Sequence, residues 1–245
     1  MSSAYLLVSH GSRDRRPEVA MQQLAKLVCH KYDNALNSEH LVGIAALEMS
    51  PQPLHEQIQQ FAKSAFGNRQ LSQNQNRLKI VPLFLLPGVH VMTDIPAEVA
   101  LAQQALGEDI MIELQPYLGS HPNLEKLLTK QIAAIKAEAW ILLAHGSRRP
   151  GSKETVEAMA ASLSAVAAYW AGPPSLESRV TELAAAGYKK IAILPYFLFT
   201  GGITDAIAAS IEELKLQFSA VNLQLAQPLG ASAELAELIW DLTDR

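Results

Sequence analysis

Val81-Pro-Leu-Phe-Leu-Leu-Pro-Gly-Val-His-Val-Met-Thr-Asp94 begins as a buried run and ends among residues that can do chemistry. Leu78, Ile80, Val81, Leu83, Phe84, Leu85 and Leu86 form a nearly unbroken apolar series, which predicts a strand covered on both faces. Pro87 and Gly88 are expected to stop it. Asp94 has the character of an N-cap, with Pro96 in the first turn of a helix that continues through Glu98, Val99, Leu101 and Leu106. Between strand and helix stands His90, at the carboxyl end of a buried strand, where open α/β sheets bind their ligands.

The same alternation extends outward on both sides. Tyr5-Leu-Leu-Val8 predicts a strand that ends at Ser-His-Gly-Ser-Arg13, followed from about Pro17 by a helix with Val19, Leu24, Leu27 and Val28 on one face. A second strand, Leu41 to Leu47, ends at Glu48, and a helix is expected from about Gln52 to Phe66. Residues 67–77 are polar and predict a solvent loop. Ile110-Met-Ile-Glu-Leu114 is the fourth strand, and Leu124, Leu127, Leu128 and Ile132 mark the fourth helix. Strands that alternate with helices imply parallel pairing and right-handed crossovers.

The chain then repeats itself. Trp140-Ile-Leu-Leu-Ala-His-Gly-Ser-Arg148 matches Tyr5-Leu-Leu-Val-Ser-His-Gly-Ser-Arg13, with His-Gly-Ser-Arg identical. Ile193-Leu-Pro-Tyr-Phe-Leu-Phe-Thr-Gly201 matches Ile80-Val-Pro-Leu-Phe-Leu-Leu-Pro-Gly88 and keeps the pattern Pro-x-Phe-Leu-x-x-Gly. Helices are expected at Val156 to Val166, Leu176 to Ala186, Ile207 to Phe218 and Leu235 to Leu242, and a last short strand at Leu223 to Leu225. The predicted fold is therefore α/β: two tandem, similar parallel-sheet domains in a bilobal, pseudo-twofold arrangement, packed together because the linker is short. The boundary falls between residues 1–136 and 137–245, near Ile135 to Glu138.

The halves differ where chemistry would sit. An ungapped alignment of Pro82 with Pro195 sets His90 opposite Ile203, and the counterpart of Glu48 falls near Trp170 to Gly172, where there is no carboxylate. Only His145 keeps the place of His10. The working site is accordingly expected in the N-terminal half, with the second half as a degenerate scaffold or lid.

Composition narrows the classes. The chain has 245 residues, 49% of them apolar, enough for one large α/β domain or two ordinary ones. A net charge of -4 argues against a nucleic-acid partner. The single Cys29 excludes a disulfide within the chain and a thiolate cluster. No apolar run approaches the roughly 20 residues of a membrane span, and Met-Ser-Ser-Ala-Tyr5 lacks a basic leader, so a cytoplasmic protein with no membrane partner is expected.

His10 ends the first strand, Glu48 the second, and His90 follows the third, so a parallel sheet places all three on one rim. Two neutral imidazoles and a carboxylate suit a borderline divalent ion such as Fe²⁺ or Co²⁺. They equally suit proton abstraction near neutral pH. Singly, each has a bland role, a histidine bonding a loop or a solvated glutamate; three on one rim outweigh that. Arg13, Arg15 and Arg16 lie just beyond His10 and can clamp carboxylates, or form a solvated charge run. Gly11 and Ser12 could instead belong to an anion-binding turn at a helix N-terminus. His121 is within reach of the same rim, with the start of a helix as its ordinary role, and His55, His30 and His40 have the settings of surface, helix-end and loop residues. The Walker and dinucleotide patterns are absent, and Ser-His-Gly lacks the preceding arginine of histidine phosphatases.

Leu7-Val-Ser-His-Gly-Ser-Arg13, Ala46-Leu-Glu-Met49 and Pro82 to Pro96 together resemble the sirohydrochlorin chelatases of the CbiX/SirB type, in their long, two-half form. The third motif is highly specific, and the resemblance covers nearly the whole chain. It implies a fold like that of protoporphyrin ferrochelatase. It also implies a class II chelatase, a lyase that inserts Fe²⁺ or Co²⁺ into sirohydrochlorin without ATP, for siroheme or cobalamin biosynthesis. No cofactor would be permanently bound; the metal is a substrate. The resemblance assigns His10 and His90 to the metal and His10 to acceptance of pyrrole protons. Glu48 and the segment Leu85, Leu86, Pro87, Gly88, Val89 and His90 would line the tetrapyrrole cleft. Sirohydrochlorin carries eight carboxylates, which gives Arg13 a purpose. The alternatives are a chelatase for another tetrapyrrole such as protoporphyrin, and a non-catalytic metal or tetrapyrrole carrier. Tandem halves can replace a homodimer of single halves, so a monomer is expected.

Overall fold

The computed structural model describes residues 3–36, 41–67, 76–146 and 151–243. His40, most of the polar loop before the third strand, and Ser147 and Arg148 of the second His-Gly-Ser-Arg lie outside the described residues.

In the first half the elements run β1 (Ser3–Ser9), α1 (Arg15–Leu36), β2 (Leu41–Ala46), α2 (Leu54–Phe66), β3 (Asn76–Pro82), a π-turn (His90–Asp94), α3 (Ile95–Leu106) and β4 (Ile110–Leu114). The strands pair in parallel in the order β2-β1-β3-β4. Leu6, Leu7 and Val8 of β1 and Leu78, Ile80 and Val81 of β3 are all at 0 or 1% exposure, which explains why β1 and the end of β3 are continuously apolar, whereas Arg77 and Lys79 alternate with Leu78 at the start of β3. Every right-handed crossover that steps toward β2 puts its helix on one face, and every one that steps toward β4 puts it on the other. That rule separates α1 from α2 and α3, which contact each other on the opposite face.

The second half repeats the plan: α4 (Leu124–Ala133), β5 (Ala139–Ala144), α5 (Ser152–Ser162), β6 (Val166–Tyr169), α6 (Leu176–Ala185), β7 (Lys190–Pro195), α7 (Gly202–Gln217), β8 (Asn222–Leu225) and α8 (Ala233–Thr243). Its parallel sheet has the order β6-β5-β7-β8. Ile141, Leu143, Val180, Ile193, Ile207 and Ile211 form the heart of its core.

The compact units do not coincide with the sequence halves of residues 1–136 and 137–245. One unit comprises Met1–His121 with Ala231–Arg245, and the other Pro122–Gly230. The last helix of each half has been exchanged. The handedness rule leaves α1 by itself on one face of the first sheet, and α8 fills the space beside it, against α1 and β3. Leu235 and Ile239 are fully buried there, the ammonium of Lys31 meets Glu237 at 2.6 Å, and Lys79 donates to the Thr243 carbonyl. In turn α4 belongs to the second unit, where the Gln131 amide donates to the Pro228 carbonyl at 3.4 Å.

Three expectations need correction. The strand of the opening stretch ends at Pro82, not Leu86. Proline offers no N–H to a ladder; Leu83 N–H still reaches the Val8 carbonyl at 2.7 Å, and the chain then leaves the sheet, with the Phe84 carbonyl taken by Gly119 N–H at 2.8 Å. Leu83 and Leu85 are apolar because they are buried beyond the strand. Second, Val166 ends no helix: α5 stops at Ser162, and Val166-Ala-Ala-Tyr169 is β6. Two alanines favour a helix locally, but pairing with β5 overrides them. Third, Asp94 is not an N-cap. It has helical backbone angles, φ -71° and ψ -49°, and its side chain makes no capping bond.

Candidate metal centre

The strand order reverses direction between β1 and β3. From β1 the chain crosses toward β2 and from β3 toward β4, so the carboxyl ends of β1 and β3 flank the switch point where such sheets open a crevice. His10 directly follows β1, and His90 follows β3 after the Leu83 to Val89 turn. Glu48 is brought to the same place by two further ladder bonds beyond the end of β2: Leu47 N–H to the Ser9 carbonyl and Glu48 N–H to the His10 carbonyl, each 2.9 Å.

The side chains converge. His10 Nε2 lies 3.8 Å from one Glu48 carboxylate oxygen, and His90 Nε2 lies 3.9 Å from the other. The two imidazoles meet edge to face, centroids 4.9 Å apart at 86°. One ligand atom from each of the three residues falls within 4.8 Å of the others, the single such cluster among the described residues. An ion with metal–nitrogen bonds of about 2.1 Å sets neighbouring ligands roughly 3.0 to 3.4 Å apart. The triad is therefore preformed to within about 2 Å of a coordinating geometry and remains open on its solvent side, with the His10 side chain 52% exposed. Phe84 stands behind both imidazoles, at centroid distances of 6.4 Å from His10 and 6.2 Å from His90.

The sequence reading missed Asp94. Its Oδ2 lies 2.7 Å from His90 Nδ1. The signal was present, an acidic residue four positions after the histidine in a helical stretch, but the N-cap reading absorbed it. Phe84 was likewise read only as part of a strand.

Gly11 makes the convergence possible. Its φ is +96°, and a Cβ there would sit 1.9 Å from the Glu48 carbonyl oxygen. Gly11→Ala should therefore displace the Glu48 backbone and strain residue 11 in the left-handed region, at a cost of order 1–3 kcal/mol. Metal affinity should fall at least about tenfold, since such supporting contacts typically carry that much; Co²⁺ titration of the variant measures it, and unchanged affinity would show that Glu48 placement does not depend on this contact.

The other candidates are distributed as follows. Arg13 is exposed, three residues beyond His10 in the chain. Arg16 is committed elsewhere: its Nε donates to both Asp14 oxygens at 3.0 and 3.1 Å, and Asp14 also accepts from Arg16 N–H, capping α1. These bonds hold the Asp14 carboxyl down at a pKa of about 2. Ser12 is occupied in accepting Asp14 N–H at 3.0 Å. Of the turn residues, Leu85 is buried at 9%, Leu86, Pro87 and Gly88 are half-buried, and Val89 is 52% exposed. His121 is not on the rim; its side chain is wholly buried, with Nε2 3.7 Å from Asp241 of α8. His55 bonds Glu98 through both its backbone N–H and ring Nδ1, at 2.7 and 2.8 Å, and ties α2 to α3.

In the second unit the matching backbone bond runs from Ala171 N–H to the His145 carbonyl at 2.7 Å, so Ala171 stands where Glu48 does, and Ile203 stands at the place of His90. His145→Ala should leave metal affinity within about twofold of the parent, because the exposed histidine has no partner ligand there among the described residues. A loss comparable with that of His10→Ala would place a second site in this half.

Comparison with known proteins bears on the family and the fold. The CbiX family model matches residues 4–135 and 139–245. The sirohydrochlorin ferrochelatase of Priestia megaterium is 26% identical over 182 residues, covering 69% of this chain and 67% of that protein. The sirohydrochlorin cobaltochelatase of the same organism is 23% identical over 96% of this chain and 76% of that protein. The crystal structure of the sirohydrochlorin chelatase SirB from Bacillus subtilis subspecies spizizenii in complex with cobalt superposes with a TM-score of 0.72, at 23% identity, over 99% of this chain and 94% of that one. No helix among the described residues is long and apolar enough to cross a membrane.

Proposed function

This chain belongs to the CbiX family, and on that premise we propose that it is a sirohydrochlorin chelatase, a lyase that inserts Fe²⁺ or Co²⁺ into sirohydrochlorin without ATP. The observation that carries the proposal is the open His10–Glu48–His90 cluster at the switch point of a family-matched sheet. It acts as a cytoplasmic monomer, the tandem repeat supplying both units in one chain.

Insertion removes two pyrrole protons from the macrocycle and replaces them with two metal–nitrogen bonds, so one M²⁺ enters as two H⁺ leave. The site has to release its metal during the reaction. Three protein ligands, two imidazoles and a carboxylate, hold a borderline ion without enclosing it, unlike a closed four-ligand cage. His90 Nε2 and Glu48 receive the ion. His10, the most exposed of the three at 52%, also presents an imidazole to the incoming macrocycle and accepts its protons. Val89 and Met92, at 52 and 55% exposure close to His90 in the chain, offer apolar contact to a flat ring, and Arg13 offers a guanidinium to peripheral carboxylates.

The test is the absorbance of sirohydrochlorin mixed anaerobically with the purified protein and Fe²⁺, and separately Co²⁺, against protein-free controls and against protoporphyrin. Faster metallation of sirohydrochlorin with either ion is the expected result. A spectral shift on binding with no acceleration would overturn the proposal in favour of a carrier, and preference for protoporphyrin would reassign the substrate.

A further inference from the structure

We propose that Asp94 is a positioning residue for metal capture: it holds His90 in the tautomer that carries its proton on Nδ1, leaving the Nε2 lone pair bare toward Glu48. This rests on the chelatase reading for its purpose but not for its geometry. A carboxylate only accepts hydrogen bonds. The 2.7 Å contact between Asp94 Oδ2 and His90 Nδ1 therefore makes Nδ1 the donor. In the neutral imidazole, Nε2, the atom 3.9 Å from Glu48, is then the acceptor nitrogen and the one able to ligate a metal. Without that contact the imidazole is free to rotate about its Cβ–Cγ bond and to take up the other tautomer, and either change removes the lone pair from the cluster.

The backbone is built to make the contact. His90 and Asp94 share one face of a π-turn, in which the Ile95 N–H reaches back five residues to the His90 carbonyl. Pro96 explains why the turn is wide. It has no N–H to offer the Met92 carbonyl four residues earlier, and in a regular α-helix its ring would crowd that carbonyl. The second half supplies an internal control. Under the ungapped alignment of Pro82 with Pro195, Ala209 stands at the position of Pro96, and α7 is an ordinary α-helix from Gly202 to Gln217. The same alignment sets Ile203 for His90 and Ile207 for Asp94, and Ile207 is a fully buried core residue. The histidine, the aspartate and the wide turn are present together in one half and absent together in the other. An ion pair serving only helix stability would contribute little and would not need the turn.

The experiment compares the full-length parent with Asp94→Ala, Asp94→Asn and Asp94→Glu. Co²⁺ alone is titrated anaerobically by its visible absorbance, the His90 tautomer is read by long-range ¹H–¹⁵N NMR of the metal-free protein, and insertion kinetics are run with metal and macrocycle varied separately. The parent should show His90 protonated on Nδ1. Asp94→Ala should weaken Co²⁺ binding about 10- to 100-fold, the range typical of lost partners behind a ligating histidine. It should also raise the KM for metal far more than the KM for sirohydrochlorin, with far-UV circular dichroism unchanged. Asp94→Asn, whose amide can either accept from or donate to Nδ1, should give a mixture of tautomers, and Asp94→Glu should recover part of the affinity. Parent-like Co²⁺ affinity in Asp94→Ala, or an Nδ1–H tautomer that persists in it, would overturn the proposal. If the parent itself fails to accelerate insertion, the chelatase reading falls while the Co²⁺ titration and the tautomer still decide the role of Asp94.

Discussion

Replacing His90 with alanine should lower metal insertion well over tenfold and leave the fold intact. The side chain projects from the π-turn into an open site, 31% exposed, and takes no part in the apolar cores, so thermal unfolding should stay close to that of the parent. The loss should fall on metal capture, because the cluster keeps only His10 and Glu48. His10→Ala should also lose activity, by about 10²- to 10⁴-fold if the imidazole accepts the pyrrole protons. The two variants separate kinetically: His90→Ala should raise the KM for metal most strongly, and His10→Ala should lower kcat even at saturating metal. Rates of insertion under varied Fe²⁺ or Co²⁺ check this. If His90→Ala keeps more than a tenth of the parental activity, His90 has no place in the mechanism.

Ending the chain at Gly230 should unfold the first unit, although every residue of the candidate site lies more than a hundred positions earlier. The cause is the exchanged helix. Leu235, Leu238, Ile239 and Leu242 of α8 are at most 7% exposed, and their surroundings are α1 and β3 of the first unit. Full burial of each such side chain contributes about 1.5–3 kcal/mol, so the four together contribute roughly 6–12 kcal/mol, comparable with the whole net stability of a typical domain. The truncated chain should lose near-UV circular dichroism and Co²⁺ binding together. Single substitutions grade the effect: Leu235→Ala or Ile239→Ala should each cost about 2–5 kcal/mol by thermal or denaturant unfolding. A truncated chain that melts cooperatively at the parental temperature would show that α8 is dispensable to the first unit.

This exchange illustrates what periodicity records. The apolar positions of α8 are legible in Leu235 to Leu242, and those of α4 in Leu124 to Ile132. They show that each helix has a face to bury. Nothing in either segment says which sheet receives that face, since both sheets offer the same kind of apolar surface. β6 was obscured for a related reason. Val166-Ala-Ala-Tyr169 has no local preference strong enough to oppose a helical reading, and only β5 beside it supplies the pairing.

The candidate triad, by contrast, follows almost entirely from order along the chain. Once strands alternate with helices the sheet is parallel, and residues that follow β1, β2 and β3 must share one rim; His10, Glu48 and His90 meet that condition without any three-dimensional information. The tandem repeat and the one-sided loss of Glu48 and His90 counterparts were legible in the same way. Tertiary structure decided the rest. It set the distances of 3.8 and 3.9 Å that turn a shared rim into a cluster, brought the Gly11 backbone too close to the Glu48 carbonyl for any side chain, and turned Asp94 from a helix cap into the partner of His90. The physical reason is the same throughout: a sequence states which groups each element carries and which face is apolar, whereas distances and partners arise only when elements remote in the chain are packed against one another.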